Sequence, residues 1–309
     1  MTDHTIPQDV KSDHISVCIC TYKRPKMLAR VLERVTQQIT EDRFSFDVIV
    51  VDNDSNRSGN HVIKNFQENK GNKIVYDCEP KQNIALARNR AIRNACGNYI
   101  AFIDDDEFPS NKWLLSLYMD IKRYKSDGIL GPVVPHFEQA PPKWVKKGRI
   151  FERPNHPTGH VMAWQNTRTG NVLIKRELFR NGQGWFDPTF GSGGEDRDFF
   201  RRMIKEEKVF VWSKEAMVYE TIPPVRWKKA VLTKRALLRG KIALNFKDEI
   251  PRSMIKSACA IAVYGICLPL LFVLGHHLFI KYLIKCCDHI GKVLAFVGID
   301  LVKEKYVEG

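Results

Sequence analysis

Residues 99 to 106 read Tyr99-Ile100-Ala101-Phe102-Ile103-Asp104-Asp105-Asp106, an apolar run followed at once by three carboxylates. A short apolar run of this kind reads as a buried strand. Crowding three carboxylates at its mouth costs energy unless positive charge arrives to meet them. A divalent ion carrying a phosphate is one such partner; a solvated acidic turn, or a cap for a helix beginning near Ser110, is the plain alternative. Side chains alternate along an extended segment, so Asp104 and Asp106 are expected on one side and Asp105 on the other. On that geometry Asp104 and Asp106 form a hard oxygen site for Mg²⁺ or Mn²⁺, and Asp105→Asn is the mildest of the three substitutions.

Outward from this strand, short β-rich runs alternate with helical segments. Strands are expected over Ile15 to Cys20, Phe46 to Val51, Lys73 to Asp77, Tyr99 to Ile103 and Gly128 to Val134. Helices are expected over Pro25 to Gln38, Gly59 to Asn69, Ile84 to Ala95 and Asn111 to Lys125. This alternation predicts an α/β, doubly wound, mostly parallel sheet with ligands beyond the carboxyl ends of the strands. Pro135 to Pro157, rich in proline, lysine and tryptophan, reads as a long functional surface loop. Gly170 to Lys175 is regular again, and the glycine-rich turn Phe190-Gly191-Ser192-Gly193-Gly194 opens into a helix from Glu195 to about Lys205.

The 309 residues, 44% hydrophobic, suffice for one large core and an appendage. The expected organisation is a flexible N-terminus (1–13), a catalytic domain (14–245) and a basic, apolar helical extension (246–309). The formal charge is +14, and from Val225 to Gly309 there are 15 Lys and Arg against 6 Asp and Glu. Because most of the excess lies beside the apolar tail, the charge points away from nucleic acid and toward an anionic membrane surface. Residues 257–280 contain no Asp, Glu, Lys or Arg. Positive flanks on both sides, Pro269 in the middle and His276-His277 favour a re-entrant hairpin or an in-plane amphipathic pair bent at Pro269 over a simple span. A helical subdomain packed on the sheet through Leu268 to Leu274 is the alternative. The eight cysteines show no CxxC pair and no zinc-type histidine spacing, from which a reducing cytoplasm and no structural zinc are expected. Met1 to Asp13 carries no signal-peptide pattern.

Further candidate groups sit at strand ends. The first strand exits through Thr21-Tyr22-Lys23-Arg24-Pro25, a βα turn without glycines, where a hydroxyl and a ring could meet a base; an ordinary turn before a proline-started helix uses the same letters. Asp52, ending the second strand, is an acceptor suited to an imide NH, or else an Asx turn. Arg88, on the third helix, could hold a base or phosphate or lie on a solvated face. Phe199 and Met203 fix an apolar helix face, which leaves Asp196 in the first turn as a base beside Glu195, or as a dipole partner.

Together, Thr21-Tyr22, Asp52, Arg88, Asp104-x-Asp106 and Glu195-Asp196 resemble the family 2 glycosyltransferases with the GT-A fold. The likeness covers about Ile15 to Gly240 and extends to the succinoglycan-type glucosyltransferases of exopolysaccharide assembly through Phe102 to Glu107, Leu130 to Val133, Arg168 to Asn171 and Gly193 to Phe200. It implies uridine binding by Asp52 and Arg88, with Thr21 and Tyr22 beside them. It also implies that Asp104 and Asp106 hold the diphosphate and its Mg²⁺ or Mn²⁺, that Asp105 belongs to the nucleotide-sugar site, and that Asp196, with Glu195 beside it, is the base of an inverting transfer. The implied partners are a UDP-sugar donor, with glucose as the sugar, and a lipid-linked or glycan acceptor; the implied location is the cytoplasmic face of the inner membrane. Asp54 stands where the family commonly has glycine, and Tyr219-Glu220 where some relatives have histidine. The processive Gln-x-x-Arg-Trp signature is absent, although Arg226-Trp227 follows Pro223-Pro224; Arg226 is then a candidate diphosphate contact and transfer of one sugar is favoured over polymer synthesis. A nucleotidyltransferase and an inactive nucleotide-sugar-binding protein are the alternative functions.

Overall fold

The computed structural model describes residues 13–70, 74–180, 185–191, 193–246 and 250–302. Apart from Asp13, the expected flexible N-terminus lies outside the described residues, as do Lys73 and Ser192. Asp13 itself is held, accepting hydrogen bonds from Tyr118 Oη at 2.7 Å and Lys122 Nζ at 3.1 Å.

Four strands run parallel side by side: β1 (His14–Thr21), β2 (Ser45–Asp52), β3 (Ile74–Cys78) and β4 (Tyr99–Asp104). Helices α1 (Pro25–Val35), α2 (Asn60–Lys70) and α3 (Ile84–Asn94) connect them. The strands are apolar on both faces because both faces are covered: Ile15, Val17 and Ile19 enter one core and Cys18 the other. Pro25 opens α1, whose buried Leu28, Val31, Leu32 and Val35 form one helical stripe. In the seven-stranded sheet, the order continues from β4 through β8 (Asn171–Lys175) and β6 (Gly128–Leu130) to β9 (Phe210–Trp212). The strand β8 pairs antiparallel to both its neighbours, so the sheet is mixed and mostly parallel.

A second sheet joins β5 (Glu107–Pro109), β10 (Val218–Thr221) and β7 (Val133–His136). The stretch expected as one strand from Gly128 to Val134 is therefore two, β6 and β7, in different sheets. Between them, Gly131 packs so tightly on Asn171 Nδ2 that a Cβ would reach 2.6 Å from it. Asn171 donates to Pro132 O and Ala216 O and accepts from Trp113 Nε1 at 2.8 Å, which ties both sheets to α4 (Trp113–Tyr124). The Pro135 to Pro157 stretch is more ordered than expected, since it contains the end of β7 and α5 (Lys143–Gly148). After α6 (Glu195–Lys205) come three helices, α7 (Lys229–Ile242), α8 (Ile250–Leu274) and α9 (His276–Phe296).

Helices α7 and α9 meet through glycines. A Cβ on Gly240 would stand 2.7 Å from Lys292 N, and one on Gly291 2.7 Å from Leu237 Cα. Helix α7, inside the expected catalytic domain, thus packs closely on α9 of the expected extension. Pro269 sits inside α8 without ending it, and the chain reverses at Gly275, not at the proline. Among the described residues, Ser253–Leu274 is the one segment long and apolar enough to cross a membrane. It is hardly covered by protein: Ile266 is 79% and Val273 82% exposed. The packing of Leu268 to Leu274 onto the sheet, raised as an alternative, is not seen.

Gly291→Val should force α7 and α9 apart and cost about 1–3 kcal/mol by overpacking. A urea-unfolding midpoint lowered relative to Val273→Ala, a change on an exposed position, checks this.

Candidate functional site

The parallel strands β1, β2 and β4 end on one edge, with Thr21 in register with Asp52 and Cys20 with Asp104. The strand β4 stops at Asp104, and Asp105 and Asp106 form a turn into β5. Strand alternation therefore does not govern the triplet, and the three carboxylates go three ways. Asp104 accepts from Arg88 Nη2 at 3.3 Å, and its side chain is 47% exposed. Asp105 is buried and accepts from Thr21 Oγ1 at 2.8 Å and Arg24 Nη1 at 3.1 Å. Asp106, also buried, accepts on Oδ2 from Arg24 at 3.3 Å and from Arg226. The expectation that Asp105 points away as the least consequential member gives way to a buried, doubly bonded group.

Electrostatics follow this sorting. Burial, partly countered by Arg24, pushes Asp105 up to about 6. Burial also raises Asp104, against the pull of Arg88. For Asp106, burial would raise the carboxyl, but Arg226 and Arg24 outweigh it and hold it below the usual range. Behind the triplet, Glu107 is pushed well up by burial and then by Asp104, and it accepts from the Asp104 backbone N–H at 3.2 Å. The chain closes over this pair with Gly170, whose missing Cβ would lie 2.8 Å from Glu107 Oε1 and 3.0 Å from Asp104 Oδ2.

Two further elements complete the crevice. Helix α3 brings in Arg88, 7% exposed, which pairs with Asp104 and with Glu195 at the start of α6; the solvated-face reading of Arg88 is thereby excluded. Glu195 is buried, and its second oxygen, Oε2, has no hydrogen-bond partner. Gly194, at a φ of 95°, turns the chain into α6, so Glu195 points inward while Asp196 stays half-buried. Among the described residues, the Asp196 carboxylate accepts from the Arg197 backbone N–H, at 2.7 Å, and its charge adds to the pressure on Asp104. Arg226 bridges Asp106 to Glu220, which in turn pairs with Arg153.

Other expected groups stand apart. Asp52 has no exposed surface: its Oδ1 accepts from Asp54 N at 3.0 Å, and its Oδ2 from Gly59 N at 2.7 Å and Tyr76 Oη at 3.0 Å. A base reaches it only if the Asp54 to Gly59 turn opens. Tyr22 lies under Lys23 Nζ, 5.1 Å from its ring centre, with its ring half-buried. Sequence reasoning missed Arg24, Glu107, Arg153 and Glu220 as members of the network. Arg24 stood in the quoted β1 exit and Glu107 in the quoted acidic motif, so position next to a motif was the available signal.

A divalent ion fits the donor set at the crevice. Asp104 is the open carboxylate, Asp106 keeps Oδ1 clear of the arginines on Oδ2, and all donors are hard oxygens suited to Mg²⁺ or Mn²⁺. Two carboxylates make no closed cage, so the remaining positions are left for water and ligand oxygens. Among the described residues, the one group of three metal-type ligands within 4.8 Å of one another is His14, Asp47 and Cys96. It lies at the opposite edge of the sheet, about 20 Å away along β1 at ~3.3 Å per residue.

Asp105 titrates with linkage of known sign. Its folded value, about 6, exceeds the ordinary 3.8, so its contribution to stability is complete below about pH 4 and is lost as pH rises through 6. Asp105→Asn should therefore gain stability relative to the parent chain between pH 4 and pH 7, by up to about 3 kcal/mol at ~1.36 kcal/mol per pKa unit. Denaturant midpoints at the two pH values check this. Removing one partner of the buried Arg88 pair, in Glu195→Gln, should cost about 3 kcal/mol, read in the same unfolding experiment.

The description of glycosyl transferase family 2 matches residues 16–182. The succinoglycan biosynthesis protein ExoM of Rhizobium meliloti (strain 1021) is 34% identical over 232 residues, covering 74% of this chain and 73% of that protein. A chondroitin synthase of Escherichia coli is 27% identical over 297 residues, which cover 82% of this chain but only 42% of the synthase. Among solved structures, S. aureus TarS 1-349 in complex with UDP superimposes with a TM-score of 0.53 at 17% identity, covering 94% of each chain. The same protein in complex with UDP-GlcNAc gives 0.54 at 15% identity, covering 94% of this chain and 95% of that one.

Proposed function

The chain belongs to glycosyl transferase family 2 and has the GT-A fold, and from that premise we propose that it moves one hexose, glucose by its likeness to ExoM, from a UDP-sugar with inversion. The observation that carries this reading is the meeting of the β4 end and the α6 start across Arg88, which brings an open carboxylate, Asp104, within electrostatic reach of Asp196.

The two carboxylates take different work. Asp196, half-buried and bonded among the described residues by the Arg197 backbone N–H, takes a proton from an acceptor hydroxyl as that oxygen attacks the anomeric carbon. Glu195 does not share this role, because its carboxylate is committed to Arg88; it positions the guanidinium. Asp104 and Asp106 would hold a Mg²⁺ or Mn²⁺ ion, which would supply positive charge against the departing diphosphate. Arg226 lies beside Asp106 and places a second cation at the same end of the leaving group. Thr21 and Tyr22 line the entrance, and Asp52 with Arg88 form the uridine end, with Asp52 reached through movement of its covering turn.

The acceptor is a lipid-linked or polysaccharide chain of the exopolysaccharide type. The exposed apolar surface of α8, flanked by lysines and arginines, supports docking on the anionic cytoplasmic face of the plasma membrane. Helix α5 touches the start of α9, just past the end of α8, with Trp144 and His276 ring centres 6.2 Å apart, and Lys143 to Arg149 add positive charge there. We assign 14–245 to the transferase and 246–309 to membrane association, with α7 as the helix that joins them.

Asp196→Asn should lower transfer by at least about 10²-fold while nucleotide binding is kept, measured by radiolabelled sugar transfer beside a UDP titration. Near-normal turnover in that variant removes Asp196 from the base role. A thermal-shift panel of nucleotide sugars with Mn²⁺ should show the largest rise for a UDP-hexose; a larger rise with a GDP- or dTDP-sugar contradicts the donor.

A further inference from the structure

At the edge of the sheet remote from the crevice, the structure assigns a second metal site, of a different kind, to His14, Asp47 and Cys96, and we propose that it binds one Zn²⁺. The three ligands are 33 and 49 positions apart in sequence, so no spacing motif announces them. The fold brings them together: His14 opens β1, Asp47 lies near the start of β2, and Cys96 sits in the link from α3 to β4.

Three observations carry the site. The Asp47 carboxylate is only 4% exposed, and its Oδ1 has no hydrogen-bond partner, although His14 Nε2 stands 3.3 Å from it. A buried carboxylate oxygen left this way is costly unless a cation meets it. The Cys96 sulfur lies 3.5 Å from Asp47 Oδ2. Adjacent ligands of a tetrahedral zinc, at roughly 2.0 Å for N or O and 2.3 Å for S, are separated by about 3.3 Å (N to O) and 3.5 Å (S to O). The observed spacings are of that size, each to a different oxygen of the Asp47 carboxylate, in a cluster whose ligand atoms lie within 4.8 Å of one another.

Surrounding contacts hold the ligands in place. His14 Nδ1 is 2.7 Å from Ser45 Oγ, which turns Nε2 toward Asp47, as the second shell of a metal site does. The backbone N–H groups of Cys96 and Gly97 donate to Ser16 Oγ at 3.2 and 2.9 Å, and Gly97 fits so closely that a Cβ would lie 2.8 Å from Ser16 N. This clamps the Cys96 loop over β1. The donor set, one imidazole nitrogen, one carboxylate and one thiolate, suits borderline Zn²⁺ and disfavours Mg²⁺. On binding, the Cys96 thiol gives up its proton to solvent as the Zn–S bond forms, and neutral His14 donates through Nε2. Cys96 is exposed, so a water can complete the tetrahedron. The ion would pin three chain segments together and would leave the oxygen site of the crevice to its own metal.

The test uses the full-length protein, stripped with chelator and kept in excess Mg²⁺ so that hard-oxygen sites are filled. Zn²⁺ titrated alone should bind at one per chain and raise the thermal midpoint, and Co²⁺ should give the near-ultraviolet band of a thiolate ligand. Cys96→Ser, a change at an exposed position, should abolish the band and weaken Zn²⁺ binding about 10- to 100-fold, and His14→Gln should weaken it similarly with the band kept at higher Co²⁺. Asp104→Asn should bind Zn²⁺ as the parent does. Failure to bind stoichiometric Zn²⁺, equal binding by Cys96→Ser, or loss in Asp104→Asn overturns the assignment; in the first case His14 and Asp47 are an ordinary ion pair.

Discussion

A single buried cation organises the active edge of this protein. Arg88 is 7% exposed and lies between Asp104 at the end of β4 and Glu195 at the start of α6. A guanidinium at that depth is tolerable only with its carboxylates in place, since burying an unpaired charge costs several kcal/mol. The pairing therefore joins two segments roughly 90 residues apart in sequence, and with them the strand end that carries the acidic triplet and the helix that carries Asp196. Among the described residues, it is Glu195 that takes the cation, while its neighbour Asp196 accepts from a backbone N–H. The division of labour between adjacent carboxylates is thus a consequence of which one faces inward from a turn at Gly194.

Charge around this pair is balanced unequally. Asp106 is compensated twice, by Arg24 and Arg226, and Asp105 by Arg24 and the Thr21 hydroxyl. Asp104, with Arg88 shared and with Glu107 and Asp196 nearby, is left as the carboxylate most in need of a cation. On the proposed function, a divalent ion arriving with a diphosphate would relieve that deficit, and the diphosphate would find Arg226 beside it. Gly170 matters here because any side chain at that position would occupy the space next to Asp104 and Glu107.

Much of this was legible in the sequence. The alternation of β-rich runs and helices located β1 to β4 and α1 to α4 within a few residues, and hence the edge where ligands gather, because continuous apolar strands bury on both faces. The motifs around Asp104 and Glu195 were legible as well, since carboxylates massed at a strand end and a helix start conflict with burial unless chemistry needs them. The triplet's geometry was not legible: alternation holds only while the chain stays extended, and the strand stops at Asp104. Arg24 and Glu220 stood in quoted stretches but were not read as ion-pair partners, and Arg153 escaped notice altogether, because such partners are chosen by tertiary proximity. The split of Gly128 to Val134 between two sheets depends on the tight packing of Gly131 against Asn171, and the chain reversal at Gly275 in place of Pro269 on how α8 meets α9. Neither has a signature in a single segment. His14, Asp47 and Cys96 are the same lesson at the far edge, three unremarkable residues united only by the fold.

The account rests on the claim that Asp104, poised by Arg88, completes its coordination only with a metal and a uridine diphosphate together. Calorimetric titration of UDP into the full-length protein, with and without Mn²⁺, into the parent chain and Asp104→Asn, addresses this directly. The prediction is binding to the parent that strengthens at least about tenfold when Mn²⁺ is present, and loss of that gain in Asp104→Asn. UDP binding of equal strength with and without Mn²⁺, unchanged in Asp104→Asn, would contradict it.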